Sequence, residues 1–235
     1  MSLLKLNITM SLDGYVAGPN QSVTDPLGEG AEKLHEWAFA MRTFRERHGM
    51  EGGATGPDDD IAAEYFQNIG ATIMGRHMFG GGDGPWGDKP WNGWWGKDPP
   101  FHMPVFVLTH HARDTLEMQG GTTFHFVTKG IHVALEQAKD AACGKDVTLG
   151  GGANVAQQFL RAGLIDEMEV HVVPVLLGDG ARLFENTDGQ QNAYECARVV
   201  NSPTVGHYKY QKRRRVMGLT PCAIDEIQSK CAHNL

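Results

Sequence analysis

Three consecutive glycines link a β-branched segment to an amphipathic one in the second half of the chain. The segment before them favours a buried strand, and the segment after them favours a helix. Glycine lets the backbone turn sharply and approach a ligand closely, and the free amides at the start of a helix attract phosphate. Because the run does not match G-x-G-x-x-G, a tight turn without a ligand is the alternative. The candidate phosphate-binding residues are Gly150, Gly151, Gly152, Ala153 and Asn154.

Two further strand ends carry groups that could hold phosphate. Gly75 and Arg76 follow one buried segment, and Thr109, His110 and Arg113 follow another. Because the carboxyl ends of parallel strands gather at one edge of a sheet, we expect these residues to line one ligand site. Two helix starts with an arginine and a Thr-His pair suit a dinucleotide. An arginine or histidine near the adenosine suits a 2′-phosphate, so NADPH fits better than NADH.

The elements that must position these residues alternate between strand and helix, from Leu4 to the helix after the glycines. The later part of the chain reads as strands with few helices. This order predicts an α/β fold with a mainly parallel sheet and an antiparallel edge. We expect a single domain over residues 1–215 and an appended C-terminal tail over 216–235.

The longest predicted helix runs from Ala31 to Arg47. A second helix begins at Asp58, which can cap it, and continues to about Asn68. The apolar face of the first helix consists of Leu34, Trp37, Ala38, Met41 and Phe44.

Composition excludes several classes of function. The chain has 235 residues and a net charge of −7, which argues against nucleic acid as a partner. No apolar stretch approaches the ~20 residues that span a bilayer. The N-terminus lacks a signal-peptide pattern, and the four cysteines form no C-x-x-C pair, so we expect a cytoplasmic protein with reduced thiols. No Cys/His group has metal-ligand spacing, so no metal is predicted.

Four motifs in order resemble one family. Ser11 to Ala17 matches its first strand and loop, Ile73 to Arg76 its Gly-Arg junction, Gly150 to Gly152 its glycine loop, and Leu164 to Gly180 its late strand and turn. The chain resembles the dihydrofolate-reductase-like family, specifically the reductase domain at the C-terminus of bifunctional riboflavin-biosynthesis deaminase-reductases. The resemblance covers Leu4 to about Lys212, with insertions at roughly 21–57 and 80–100.

The resemblance implies an NADPH-dependent reductase with a mixed, mostly parallel sheet of about eight strands, flanked by helices in three α-β-α layers. It also implies a homodimer acting on a small-molecule substrate. By the same resemblance Met10 and Ala17 flank the nicotinamide through their backbones, Gly75 and Arg76 meet the cofactor phosphates, and the glycine segment holds the pyrophosphate. Thr109 and His110 line the 2′-phosphate pocket, with Arg113 as a reserve cation.

A reductase of this type also needs a proton donor. Asp13 lies at the end of the first strand, near the expected nicotinamide, although it could equally cap a turn. Glu64 lies on the helix that carries the acidic group in folate reductases, although a solvated carboxylate is the simpler interpretation. Asp13 and Glu64 are therefore the candidate catalytic residues.

A loop rich in tryptophan is the most individual part of the chain. Trp91, Trp94 and Trp95 lie within five residues of one another, among glycines and prolines. One interpretation is a lid that stacks on a planar substrate and excludes water. The other is aromatic packing over a sheet edge or a dimer contact.

The substrate is not defined by these motifs. The leading candidate is 5-amino-6-(5-phosphoribosylamino)uracil, but no convincing Lys/Arg pair for its phosphate occurs between residues 11 and 60. The zinc signature of the deaminase half is absent, which favours a standalone reductase. Dihydrofolate or a pterin, an unrelated carbonyl, and nucleotide binding without catalysis are the alternatives.

Overall fold

The computed structural model describes residues 2–88, 91–187 and 193–213, so the predicted tail over 216–235 lies outside the described residues. A nine-stranded sheet has the order β10-β11-β8-β1-β7-β3-β4-β6-β5 within these ranges, and β2 pairs with β9 separately. The strands are β1 (Leu4–Ser11), β2 (Tyr15–Ala17), β3 (Ile69–Gly75), β4 (Pro104–Leu108), β5 (Leu116–Glu117), β6 (Thr123–Val127), β7 (Asp146–Leu149), β8 (Glu167–Val173), β9 (Ala181–Arg182), β10 (Tyr194–Asn201) and β11 (Gly206–Lys212).

The helices are short. The described part of the chain contains α1 (Glu36–Phe39), α2 (Arg42–Arg47), α3 (Pro57–Tyr65), α4 (Arg76–Phe79), α5 (Ile131–Ala141) and α6 (Ala153–Arg161), with 3-10 turns at Ala31–Leu34 and Gln119–Gly121. None of these helices is long and apolar enough to cross a membrane.

The middle of the sheet is parallel. β8, β1, β7, β3, β4 and β6 run in one direction, while β5, β10 and β11 make antiparallel pairs at the two sides. Because parallel strands need crossover connections, helices cover the faces of such a sheet. The predicted mixed, mostly parallel sheet flanked by helices in three layers is therefore confirmed.

Helices α5 and α6 cover one face of the sheet. Each presents buried residues one and four positions apart, as in Ala134, Leu135 and Ala138 of α5. They pack on Leu4 and Leu149 from the middle strands in the largest core cluster. This packing holds the start of α6, and with it the glycine segment, against the carboxyl ends of the parallel strands.

Two smaller clusters cover the opposite face. Trp37, Leu34 and Val173 belong to one, which joins the residues around α1 to β8. Phe79 and Phe124 belong to the other, which joins α4 and β6 to the tryptophan loop.

The predicted continuous α-helix over residues 31–47 is divided at two points. At His35, where φ is −109° and ψ −7°, the chain stays in the right-handed region while a 3-10 turn passes into α1. Met41 is extended, with φ −77° and ψ 145°, between α1 and α2. Leu34 and Trp37 are still buried, as the apolar spacing predicted. Their burial comes from packing in a core cluster and does not need a straight helix.

Candidate functional site

A cleft of about 840 Å³ opens at the carboxyl ends of the parallel strands. It runs from β1 across β7 and β3 to β4 and β6, following the strand order of the sheet. All three predicted phosphate-holding junctions meet in it. The predicted cofactor residues that line it are Ala17, Gly75, Arg76, Thr109, His110, Gly150, Gly151, Gly152, Ala153 and Asn154.

The glycine segment forms one wall of the cleft. Gly151 has φ +121° and Gly152 φ +35°, a backbone that side chains rarely adopt. Gly75 N–H donates to Gly151 C=O at 3.2 Å, which joins this segment to the end of β3. Gly152 is the N-cap of α6 and offers no side-chain cap, so the first amides of α6 are free for a ligand.

Arg76 supplies the positive charge of the cleft. Its side chain is nearly buried, and its Nη2 donates to Gly81 C=O at 3.1 Å. Its Nε and Nη1 have no hydrogen-bond partner. Burial, and then the nearby Arg113, lowers the pKa of the guanidinium below its ordinary value. Buried charged donors without acceptors are costly, so an anionic ligand would satisfy what the protein leaves open.

The end of β4 forms the far side of the cleft. Thr109 N–H continues the sheet by donating to Val127 C=O at 3.1 Å. The Thr109 hydroxyl accepts the His111 amide at 3.2 Å, which shapes the turn that carries His110. His110 is exposed and lines the cleft.

Arg113 does not line the cleft. It donates to Asn92 Oδ1 at 2.7 Å and to Trp91 C=O, and its guanidinium lies 4.9 Å from the Trp86 ring centroid. The structure therefore uses Arg113 to hold the tryptophan loop, because its donors are directed at that loop rather than at the strand ends.

Met10 also lies outside the cleft lining. It packs against the core beneath α5 and α6. The residues of β1 that line the cleft are Ile8 and Thr9. The predicted contact through the first strand is thus shifted by one or two residues toward the strand start.

The surroundings of Asp13 do not suit a proton donor. Its carboxylate accepts the Ser11 hydroxyl at 2.6 Å, the Leu177 amide at 3.2 Å and the Gly178 amide at 2.8 Å. The bond from Ser11 is the largest cause that lowers the pKa of Asp13 to about 2. An ionised carboxylate only accepts hydrogen bonds, so Asp13 ties the turn after β8 to the end of β1.

The structure does not bring Glu64 to the cleft. Glu64 lies near the end of α3, and the chain then enters β3 at its amino end, on the opposite edge of the sheet. There Glu64 accepts Arg198 Nη1 at 2.5 Å and Lys209 Nζ at 3.1 Å. The bond from Arg198 chiefly lowers the Glu64 pKa. The predicted role of Glu64 as acid at the cofactor disagrees with this position.

The tryptophan loop packs against α4 and also contributes to the cleft lining. Trp94 and Trp95 line the cleft, whereas Trp91 does not. The indole N–H of Trp91 donates to Phe79 C=O at 2.8 Å, and that of Trp94 donates to Met78 C=O at 3.1 Å. The loop is therefore anchored to α4 and presents two indoles to the cleft.

Among the polar cleft residues that the sequence patterns missed, Thr9 and His35 lie toward β1. Thr9 accepts the Trp37 indole N–H at 3.2 Å and lines the cleft near β1. His35 lines it from the junction between the 3-10 turn and α1. Neither residue belongs to a motif, and a place on a predicted helix gave no reason to single out His35.

The chemistry of the lining suits a phosphate-bearing cofactor. The described residues include no group of three or more His, Cys, Asp or Glu side chains placed to hold a metal ion. Free helix amides, a glycine backbone and an arginine with two unpartnered donors are anion-binding groups.

Comparison with known proteins gives matches along most of the chain. Residues 3–208 match the family described as the RibD C-terminal domain. A relative from Bacillus subtilis, the uncharacterized protein YyaP, is 46% identical over 185 residues, which is 76% of this chain and 78% of the relative.

Solved structures share the fold. A Shewanella sp. PV-4 protein described as a riboflavin biosynthesis protein has a TM-score of 0.57 at 20% identity, over 90% of this chain and 99% of that one. RibD of Acinetobacter baumannii has a TM-score of 0.52 at 19% identity, over 91% of this chain and 59% of that one. The Thermotoga maritima diaminohydroxyphosphoribosylaminopyrimidine deaminase/5-amino-6-(5-phosphoribosylamino)uracil reductase has a TM-score of 0.50 at 12% identity. The match covers 90% of this chain and 57% of that one.

Proposed function

We propose that this chain, which belongs to the RibD C-terminal domain family, is an NADPH-dependent reductase of a planar heterocycle. The observation that carries the proposal is the cleft in which three strand ends meet, with two guanidinium donors of Arg76 left without acceptors. Such a lining is suited to a ligand with several phosphates.

The residues that would hold NADPH follow the strand order across the cleft. The amides that begin α6 and the glycines before them are suited to the pyrophosphate. Arg76, Thr109 and His110 are suited to the 2′-phosphate, since they lie toward β4. Ile8 and Ala17 lie at the β1 side, where they are suited to the nicotinamide. When bound, the cofactor supplies a hydride.

The protein's part in the reaction is to bind, orient and shield. Trp94 and Trp95 offer aromatic surface to a flat ring system. Leu27 and Val16 add apolar lining at the β1 side, and an apolar, water-poor site strengthens polar contacts to the reacting atoms.

The first substrate candidate is 5-amino-6-(5-phosphoribosylamino)uracil, which the family membership favours. One observation favours dihydrofolate or a pterin instead. Among the described residues, Arg76 is the one Lys or Arg that lines the cleft, and the cofactor would use it. A phosphoribosyl group would therefore lack a Lys or Arg partner from the described lining, whereas a pterin ring would not need one.

Titration of the purified protein with NADPH and NADH, followed by tryptophan fluorescence, tests the cofactor. We expect saturable quenching with tighter binding of NADPH, because Trp94 and Trp95 line the cleft. A Trp94→Phe variant should lose part of the quenching and keep the affinity. Absence of saturable binding by either nucleotide would contradict the proposal. Reduction assays with the pyrimidine and with dihydrofolate then separate the two substrates.

A further inference from the structure

One titratable group stands apart from the others in the cleft. Most titratable lining residues belong to the β3 and β4 side, namely Arg76, His77, Asp83 and His110. His35 is the one at the β1 side among the described residues. That side is where the nicotinamide, and therefore the reacting carbon of a substrate, would lie under the proposed function.

The fold holds His35 in this position. The flanking residues Leu34 and Trp37 are buried, at 0% and 8% exposure. The Trp37 indole is fastened to Thr9 of β1 by its hydrogen bond, and His35 N–H closes the 3-10 turn by donating to Glu32 C=O at 2.9 Å. The imidazole is half-buried and stacks on Phe39, with ring centroids 5.9 Å apart.

The ring nitrogens of His35 are available to a ligand. No hydrogen bond or ion pair joins them to any residue in the described ranges, unlike the rings of His48, His171 and His207. The described residues of the neighbouring elements bring no other titratable group to this part of the cleft. Their lining residues are Ile8, Thr9, Val16, Ala17, Gln21, Pro26 and Leu27.

We propose that His35 is the catalytic acid of this cleft, giving a proton to the heteroatom of a C=N or C=O bond during its reduction. The inference rests on the proposed function. It replaces Asp13 and Glu64, because the first is held ionised by three hydrogen bonds and the second lies at the opposite edge of the sheet.

The step balances with the groups named. The substrate carbon gains a hydride from the dihydronicotinamide, which is oxidised to the nicotinamide cation. The π bond breaks, and its electron pair passes to the nitrogen or oxygen. The imidazolium of His35 gives that atom a ring proton and becomes neutral, and water restores the proton to the imidazole.

The environment of the ring sets the direction in which its titration is displaced. Burial lowers the pKa of His35 below its ordinary value of 6.5, with no charged neighbour among the causes. The sequence neighbours Glu32, Lys33 and Glu36 are exposed. Because the protonated form is the donor, kcat/KM should rise as pH falls toward the His35 pKa.

The test compares His35→Gln with His132→Gln, a matched change at an exposed position of α5. NADPH affinity is measured first by fluorescence, and we expect less than about a twofold change, since His35 is not a phosphate contact. Steady-state reduction is then measured with the pyrimidine and dihydrofolate. We expect His35→Gln to lower kcat by about 10²-fold or more, with a smaller effect on KM. The kcat/KM of His35→Gln should not change with pH over the range in which that of the unmodified protein does.

Two further measurements do not depend on that variant alone. The imidazole resonance of His35, assigned by its loss in His35→Gln, should titrate below 6.5 and shift when substrate joins the complex with NADP⁺. A His35→Ala variant should recover part of its rate in added imidazole.

The outcomes distinguish a failure of the role of His35 from a failure of the proposed reductase function. A His35→Gln enzyme that reduces substrate within about threefold of the unmodified rate overturns the role of His35 and leaves the reductase intact. Absence of NADPH binding, or of any reduction by the unmodified protein, overturns the proposed function and the inference together.

Discussion

The guanidinium of Arg76 lies over the indole of Trp86, with its central carbon 3.1 Å from the ring centroid. Trp86 in turn donates its indole N–H to His111 C=O at 2.9 Å, beyond the end of β4. The cation–π contact thus ties the phosphate side of the cleft to the segment that carries Trp86, while Nε and Nη1 of Arg76 have no hydrogen-bond partner.

Replacement of Arg76 by alanine should weaken NADPH binding by about 1.5–3 kcal/mol, the range for a hydrogen bond to a charged group. Binding of NADH should weaken less if Arg76 meets the 2′-phosphate. The measurement is fluorescence titration with both nucleotides. Arg42→Ala, which removes a largely exposed arginine outside the cleft, is the control for loss of charge. Equal affinities of the Arg76 variant and the unmodified protein would exclude the contact.

A Gly75→Ala change should damage the cleft through a steric clash rather than through the backbone. A Cβ at Gly75 would lie 2.7 Å from Val155 Cγ2, while the backbone there is extended, with φ −84°. Overpacking of this kind costs about 1–3 kcal/mol, and we expect a lower melting temperature and weaker NADPH binding.

The second change in this experiment is Val155→Ala, which removes the atom that the new methyl would meet. The double variant should therefore be more stable than the sum of the two single effects implies. Strict additivity in denaturant unfolding would show that the clash is not the cause.

Asp13→Asn should destabilise the protein at neutral pH while leaving substrate reduction measurable. The pKa of Asp13 is lowered to about 2 from 3.8. A lowered carboxyl pKa contributes stability that is present above the unfolded value and lost as pH falls through the folded one. The difference in stability between the two proteins should therefore shrink between about pH 4 and pH 2. Thermal unfolding across this range measures it, and complete loss of reduction with the fold intact would restore Asp13 as an acid candidate.

A buried pair of histidines should make the protein sensitive to mild acid. The Nδ1 atoms of His171 and His207 lie 2.6 Å apart, and His207 Nε2 lies 3.1 Å from Asp58 Oδ1. If His207 donates from Nε2 to Asp58, its Nδ1 accepts from His171 Nδ1–H, and both rings are neutral. Burial, and then the neighbouring His207, lowers the pKa of His171 to about 3.

The sign of the acid effect follows from that pKa. In the unfolded chain His171 binds a proton near pH 6.5, whereas in the folded protein it binds one only near pH 3. The free energy of unfolding should therefore fall as pH decreases across this interval. In denaturant unfolding, the free energy of unfolding of His171→Gln should depend less on pH, even if this variant is less stable at pH 7. His132→Gln should retain the slope of the unmodified protein, and an unchanged slope in His171→Gln would contradict the assignment.

Local patterns predicted those parts of the site that belong to the backbone. The glycines at 150–152 and the Gly75-Arg76 junction follow buried strands, and parallel strands must end at the same edge of the sheet. The fold class followed from the same alternation and is confirmed by the strand order. The homodimer and the cytoplasmic location stay predictions.

Side-chain roles were predicted less well, because they depend on partners distant in sequence. Glu64 is bound by Arg198, 134 residues away, and Asp13 by the amide of Gly178, 165 residues away. Arg113 is directed to the tryptophan loop rather than to the cleft. The periodicity of apolar residues does not show which distant residue a polar side chain will bind.

The sequence by itself determined where the chain turns and which strands can be buried, because glycine, β-branched and apolar residues act on their own neighbourhood. Only the tertiary structure decided which polar groups face the cleft. His35 lines it while its neighbours Leu34 and Trp37 pack into the core, and Arg76 is left with open donors because the loop that covers it supplies too few acceptors. Both outcomes arise from contacts between segments, which local propensity does not encode.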